Sequence, residues 1–133
     1  YLTRAGASGR ARALPPVDLT EVEARNPANP AEAEALAAAI GDGAFIIACD
    51  ERGKALTSRA LADRMATLRD RGERRLVFVI GGADGLDPAF VDRAHDTLAF
   101  GPQTWPHALV RAMLAEQVYR AVTILAGSPY HRD

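Results

Sequence analysis

The chain has 133 residues, of which 48% are hydrophobic and 25% charged, enough apolar material to bury one continuous core, so a single domain over 1–133 is expected. The formal net charge of −1 argues against strong sequence-independent phosphate binding, and no window approaches the roughly 18 consecutive apolar residues of a membrane span. The lone Cys49 excludes an internal disulfide, and neither it nor the scattered His95, His107 and His131 has neighbours at metal-ligand spacing. These features predict a cytoplasmic protein with no metal and no membrane partner.

Residues 1–8 read as the end of a helix, which leaves the beginning of the domain upstream of Tyr1, and Pro15 and Pro16 stop that segment. Residues 17–22 alternate apolar and polar side chains, as a half-buried strand does. After the turn residues 26–30, Asn29 can cap a helix with Pro30 at its first position and Glu32 three residues past the cap. That helix runs to about Ile40 and ends at Gly41.

The uninterrupted apolar run 44–49 predicts a strand buried on both faces, followed by a polar loop over 50–56. Thr57 or Ser58 opens an amphipathic helix in which Leu61, Met65 and Leu68 recur at helical spacing until Gly72 stops it. Residues 76–80 form the most strand-like segment and lead into Gly81, Gly82, Ala83, Asp84 and Gly85. Asp87 and Pro88 cap a short helix to about His95, and 97–100 reads as another strand. The last long helix starts near Pro106 or His107. Its end is open, because 122–125 is β-branched and reads equally as strand or helix. Strands alternating with helices predict an α/β domain with a mainly parallel sheet flanked by helices.

Ligands of such sheets bind at the carboxyl ends of the strands, which selects the loops 50–56, 81–86 and 101–106. Gly81, Gly82 and Gly85 either reverse the chain or let a ligand approach the backbone closely. Their spacing matches neither a dinucleotide fingerprint nor a phosphate-binding P-loop. Two prolines stiffen the segment 101–107 around Trp105, which is either a core aromatic or a wall for a flat ring. His107 can be a plain helix-start residue, and Arg111, one turn later, a surface residue or a holder of phosphate or carbonyl groups. The closing Tyr130, His131 and Arg132 place an aromatic ring, a base and a guanidinium in succession, a set suited to RNA if it is not a frayed end. Residues 106–133 carry three arginines against two acids, a slight basic bias.

The order of these motifs is more specific than any one of them. Asp50-Glu51-Arg52-Gly53-Lys54, then 78–86 with its diglycine, then Thr104-Trp105-Pro106-His107 through Arg111, then Glu116-Gln117-Val118-Tyr119-Arg120-Ala121, then Pro129-Tyr130-His131-Arg132 resembles the bacterial ribosomal RNA large subunit methyltransferase H family. The resemblance covers roughly residues 45–133, and more loosely the rest. It implies a SPOUT fold with a C-terminal trefoil knot, a homodimer, S-adenosylmethionine as cofactor, and methylation of N3 of a pseudouridine in the 23S ribosomal RNA of the ribosome.

By position, the family's cofactor contacts fall on Cys49, Gly81, Gly82, Phe100, Gly101, Pro102, Gln103, Thr104 and Trp105. The resemblance assigns Tyr130, His131 and Arg132 to RNA and the partner subunit's site. His131 is the candidate base, with Arg132 and Arg111 as orienting catalytic groups. Family members carry a further N-terminal strand and the start of the first helix, which this sequence lacks ahead of Tyr1. Two other readings stay open: a non-catalytic ribosome-binding remnant of the same fold, and a flavodoxin-like nucleotide-binding domain.

Overall fold

A computed structural model describes residues 28–82 and 84–133. The expected strand at 17–22 and the helix end at 1–8 lie outside the described residues. Those described fall into two compact units, one of 28–55 and 75–110 and the other of 56–74 and 111–133.

The first unit is built on a three-stranded parallel sheet. Helix α1 (Pro30–Ile40) begins where Asn29 Oδ1 accepts from the amides of Ala31 at 2.9 Å and Glu32 at 3.4 Å. It stops where Gly41, at φ 77°, returns its amide to the Ala37 carbonyl. Strand β1 (Phe45–Cys49) lies in the middle of the sheet, between β2 (Leu76–Ile80) on one side and β3 (Asp96–Leu98) on the other. A central strand must bury both faces, which is why residues 44–49 contain no charge: every β1 residue except Ile46 is buried.

His95 holds the entry to β1. Its Nδ1 accepts the Ile46 amide at 2.9 Å while its own amide donates to the Ile46 carbonyl, and its ring stacks on Phe45. The short helix α3 (Pro88–Arg93) is capped by the buried Asp87, whose Oδ2 accepts the Phe90 amide at 3.3 Å. Ala33 and Ile40 from α1, Ala48 and Val79 from the sheet, and Leu86 and Phe90 around α3 form one apolar cluster. This core fixes the strand ends from which the loops emerge. The strand expected at 97–100 is shorter, Asp96–Leu98, with Ala99 continuing the pairing as an isolated bridge to Ala55.

In the second unit, helix α2 (Ser58–Asp70) is capped by Thr57 Oγ1 on the Ala60 amide, and its apolar stripe of Leu61, Ala62, Met65 and Leu68 is buried. Gly72, at φ 87°, follows it, and the Glu73 amide bonds back to the Leu68 carbonyl. The stretch 122–125, open between strand and helix, is helical: α4 runs unbroken over His107–Ala126, its first turn belonging to the first unit. Thr123 joins because its hydroxyl bonds to the Arg120 carbonyl at 2.7 Å. Gly127, at φ 72°, ends the helix, with the Ser128 amide reaching back to the Thr123 carbonyl at 2.9 Å.

Candidate functional site

Parallel pairing aligns the carboxyl ends of all three strands, because Cys49 sits opposite Ile80 on one side and Leu98 on the other. The loops 50–56, 81–86 and the segment after Leu98 therefore leave the same edge of the sheet. Their spread is about 10 Å, two strand spacings, which is the scale of a small ligand.

The loop after β1 is laid along β3. The Asp50 amide donates to the Leu98 carbonyl at 3.0 Å and the Ala99 amide to the Lys54 carbonyl at 2.8 Å. Gly53 makes this possible, since a Cβ there would stand 2.9 Å from the Thr97 side chain and 3.1 Å from the Leu98 amide. The turn itself is held by Asp50, whose carboxylate accepts the amide and guanidinium of Arg52. That hydrogen-bonded guanidinium keeps the Asp50 carboxyl below its ordinary range.

The glycine turn is tight. A Cβ on Gly81 would lie 2.6 Å from the Gly85 carbonyl carbon, Gly82 bridges Gly85, and Gly85 has φ 79°. Chain reversal alone therefore requires Gly81 and Gly85, so their presence does not by itself report a ligand.

The third segment carries the exposed aromatic. Trp105 is 37% exposed, and its indole Nε1 donates to the Phe100 carbonyl at 3.2 Å, which folds 100–105 into a closed arch. A core position for Trp105 is thereby replaced by a display position. The Thr104 hydroxyl donates to Glu51 Oε2 at 3.2 Å and ties this arch to the loop after β1. Among the described residues, the amides of Gly101, Gln103 and Thr104 donate to no protein acceptor. Cys49, the last residue of β1, is buried and neutral, its thiol pushed up to about 12 by burial.

The expected cofactor contacts are thus brought together: Cys49, Gly81, Gly82, Phe100, Gly101, Pro102, Gln103, Thr104 and Trp105 all belong to the first unit and to one sheet edge. Arg111, Tyr130, His131 and Arg132 belong to the second unit. Arg111 and Arg132 are exposed, whereas Tyr130 and His131 are only partly so.

The segment 128–133 is docked by side-chain bonds. The Tyr130 hydroxyl donates to Glu116 Oε1 at 3.1 Å, its ring stands edge-on to Tyr119, and the Arg120 guanidinium lies 4.9 Å from the ring centre. His131 Nδ1 lies 3.1 Å from Arg120 and Nε2 3.0 Å from Asp133 Oδ1. Asp133 also takes a two-pronged contact from Arg59 of α2 at 2.6 and 2.8 Å. Arg59 and, after it, His131 hold the Asp133 carboxyl below its ordinary value. None of Gly53, Glu51, Arg59, Glu116 or Arg120 was singled out by sequence reasoning as a site residue. The i, i+4 spacing of Glu116 and Arg120 on one helix was a signal for that pair, and the motifs that carry the family resemblance contain them together with Glu51 and Gly53, whereas no sequence signal marked Arg59.

Residues 7–131 match the family described as "Predicted SPOUT methyltransferase". The chain belongs to the SPOUT methyltransferase family. Its full length is 68% identical to the ribosomal RNA large subunit methyltransferase H of Caulobacter sp. (strain K31), covering 86% of that protein. It is 66% identical to the protein of the same name from Caulobacter vibrioides, covering 85% of it, and 54% identical to that of Paracoccus denitrificans, covering 86%. No helix among the described residues is long and apolar enough to cross a membrane, and no cluster of three or more potential metal ligands occurs among them.

Proposed function

We propose that this chain transfers the methyl group of S-adenosylmethionine to N3 of a pseudouridine in the 23S ribosomal RNA of the large subunit. It does so in the cytoplasm, as a homodimer of single SPOUT-type domains, each with a C-terminal trefoil knot. The observation that carries the reading is the joining of the arch at 100–105 to the loop after β1, through Thr104 and Glu51, at the edge where the glycine turn also ends. The names and high identity of the relatives support the RNA substrate.

The residues present suit S-adenosylmethionine on chemical grounds. That molecule has an adenine, a sulfonium cation and no phosphate, so it needs hydrogen-bond donors, a flat apolar wall and no cluster of Lys or Arg. The unengaged amides of Gly101, Gln103 and Thr104 supply donors, the arched Trp105 supplies the wall, and Cys49 adds no charge at the end of β1. When bound, the cofactor supplies an electrophilic methyl group on sulfur.

In the transfer, a bond forms from N3 to the methyl carbon as the carbon–sulfur bond breaks, and the N3 proton must leave. His131 is the group we assign to take that proton, with Arg111 and Arg132 orienting phosphate or uracil carbonyls and Tyr130 offering a face for a base. Most of the rate comes from holding the reacting atoms in line. The test is transfer of labelled methyl to large subunits whose RNA contains or lacks pseudouridine. Label on N3 in the first only is expected; co-sedimentation with ribosomes without transfer would leave a binding remnant instead.

A further inference from the structure

The polar groups around the terminal segment form a closed circuit. The Ser58 hydroxyl donates to Gln117 at 2.7 Å, and Gln117 Nε2 donates to Glu116 at 3.0 Å. Glu116 takes Arg120 through Nε at 3.0 Å and NH2 at 2.7 Å, while NH1 of the same guanidinium faces His131. His131 then meets Asp133, and Asp133 meets Arg59, the neighbour of Ser58.

The chemistry of this circuit fixes a proton. A guanidinium has donors only, so Nδ1 of His131 must present its lone pair to Arg120. The ring hydrogen therefore sits on Nε2 and donates to the Asp133 carboxylate. Both ring nitrogens are engaged, and the one atom of His131 able to accept a proton is covered by Arg120. The Glu116 carboxylate, with 20% of its side chain exposed, holds the guanidinium in place, and Arg120 has 25% exposed.

We propose that Arg120 is a positioning residue for His131. It sets the tautomer and direction of the ring from helix α4, and it caps Nδ1 until the site is engaged. The role rests on the methyl-transfer reading above only for its catalytic consequence; the capping itself is a property of the resting chain. Proton acceptance by His131 then requires its ring to turn away from Arg120, because Glu116 holds the other two nitrogens of the rigid fork and NH1 cannot withdraw on its own.

The test compares the full chain with Arg120→Met and Arg120→Lys. Lysine keeps the charge and stem but cannot hold Glu116 and His131 with one fork. Three quantities are read: the rate at which diethylpyrocarbonate modifies His131, nitrogen chemical shifts of the ring, and kcat and KM for labelled methyl transfer. In the unaltered chain the shifts should report Nδ1 unprotonated and Nε2 protonated, with slow modification. Both variants should be modified several-fold faster and lose kcat on the order of a hundredfold for a misplaced ring, with KM for S-adenosylmethionine unchanged. A proton on Nδ1 in the unaltered chain, or unchanged His131 modification in both variants, would overturn the proposal. Correct shifts and faster modification with no methyl transfer by the unaltered chain would leave the capping in place and reject the methyltransferase reading alone.

Discussion

Thr104 and Glu51 lie 53 positions apart in the chain, yet the threonine hydroxyl donates to the glutamate carboxylate at 3.2 Å, closing the arch at 100–105 onto the loop that follows the central strand. The contact holds two of the three loops at the sheet edge in a fixed relation. Thr104→Val should weaken S-adenosylmethionine binding by about 1 kcal/mol, the usual worth of one hydrogen bond, roughly a fivefold change in Kd. Glu51→Gln should do less, because an amide oxygen still accepts. Calorimetric titration of both single variants and the double variant reads the coupling, and strictly additive losses would show that the bond does not organise the site.

Trp105 is the sole tryptophan of the chain, so its fluorescence reports this arch alone. The emission should change on titration with S-adenosylmethionine and saturate at one equivalent per chain. Trp105→Ala should cost about 1–3 kcal/mol of affinity if the ring stacks on the adenine. Emission that ignores the cofactor while calorimetry records binding would place the adenine elsewhere.

Gly81 and Gly85 are constrained for different reasons, and the difference is measurable. Gly85→Ala forces a side chain into φ 79° with open space around it, a cost of about 1 kcal/mol. Gly81→Ala instead drives a methyl to 2.6 Å from backbone, so the turn itself must move, with a loss of about 1–3 kcal/mol. Urea unfolding should rank Gly81→Ala below Gly85→Ala in stability. The reverse order would mean that the turn relaxes around the added methyl.

Cys49 gives the chain an alkaline signature. Burial raises its thiol from 9.0 to about 12, so the folded chain keeps a proton that the unfolded chain releases earlier. A folded-state pKa above the unfolded one confers stability that is complete below about pH 9 and declines as pH climbs through 9 towards about 12. Denaturation midpoints at pH about 8 and about 10 should therefore fall further for the unaltered chain than for Cys49→Ala. Equal declines would show that the thiol is accessible in the folded state.

Much of the framework was legible because local chemistry decided it. Asn29 and Asp87 cap the helices they were expected to cap, Thr57 rather than Ser58 caps the one between them, and the charge-free residues 44–49 form the expected strand with neighbours on both sides. The three loops could be placed on one edge because parallel strands share a carboxyl end. What failed to show was contact across sequence. Nothing near Gly53 announces Thr97, and nothing near Arg59 announces Asp133. The stretch 122–125 read ambiguously because Val122, Thr123 and Ile124 are β-branched. Burial of Val122 and Thr123, and the bond from Thr123 to the Arg120 carbonyl, outweighed that local preference.

One pocket for S-adenosylmethionine requires the loops after the three strands to respond together. Amide hydrogen exchange during a titration with that molecule reads all of them at once. Protection at Gly81 and Gly82, at 50–54 and at 100–105 should grow together with a single midpoint. Protection confined to one loop, or absent from all three while the cofactor binds, would contradict it.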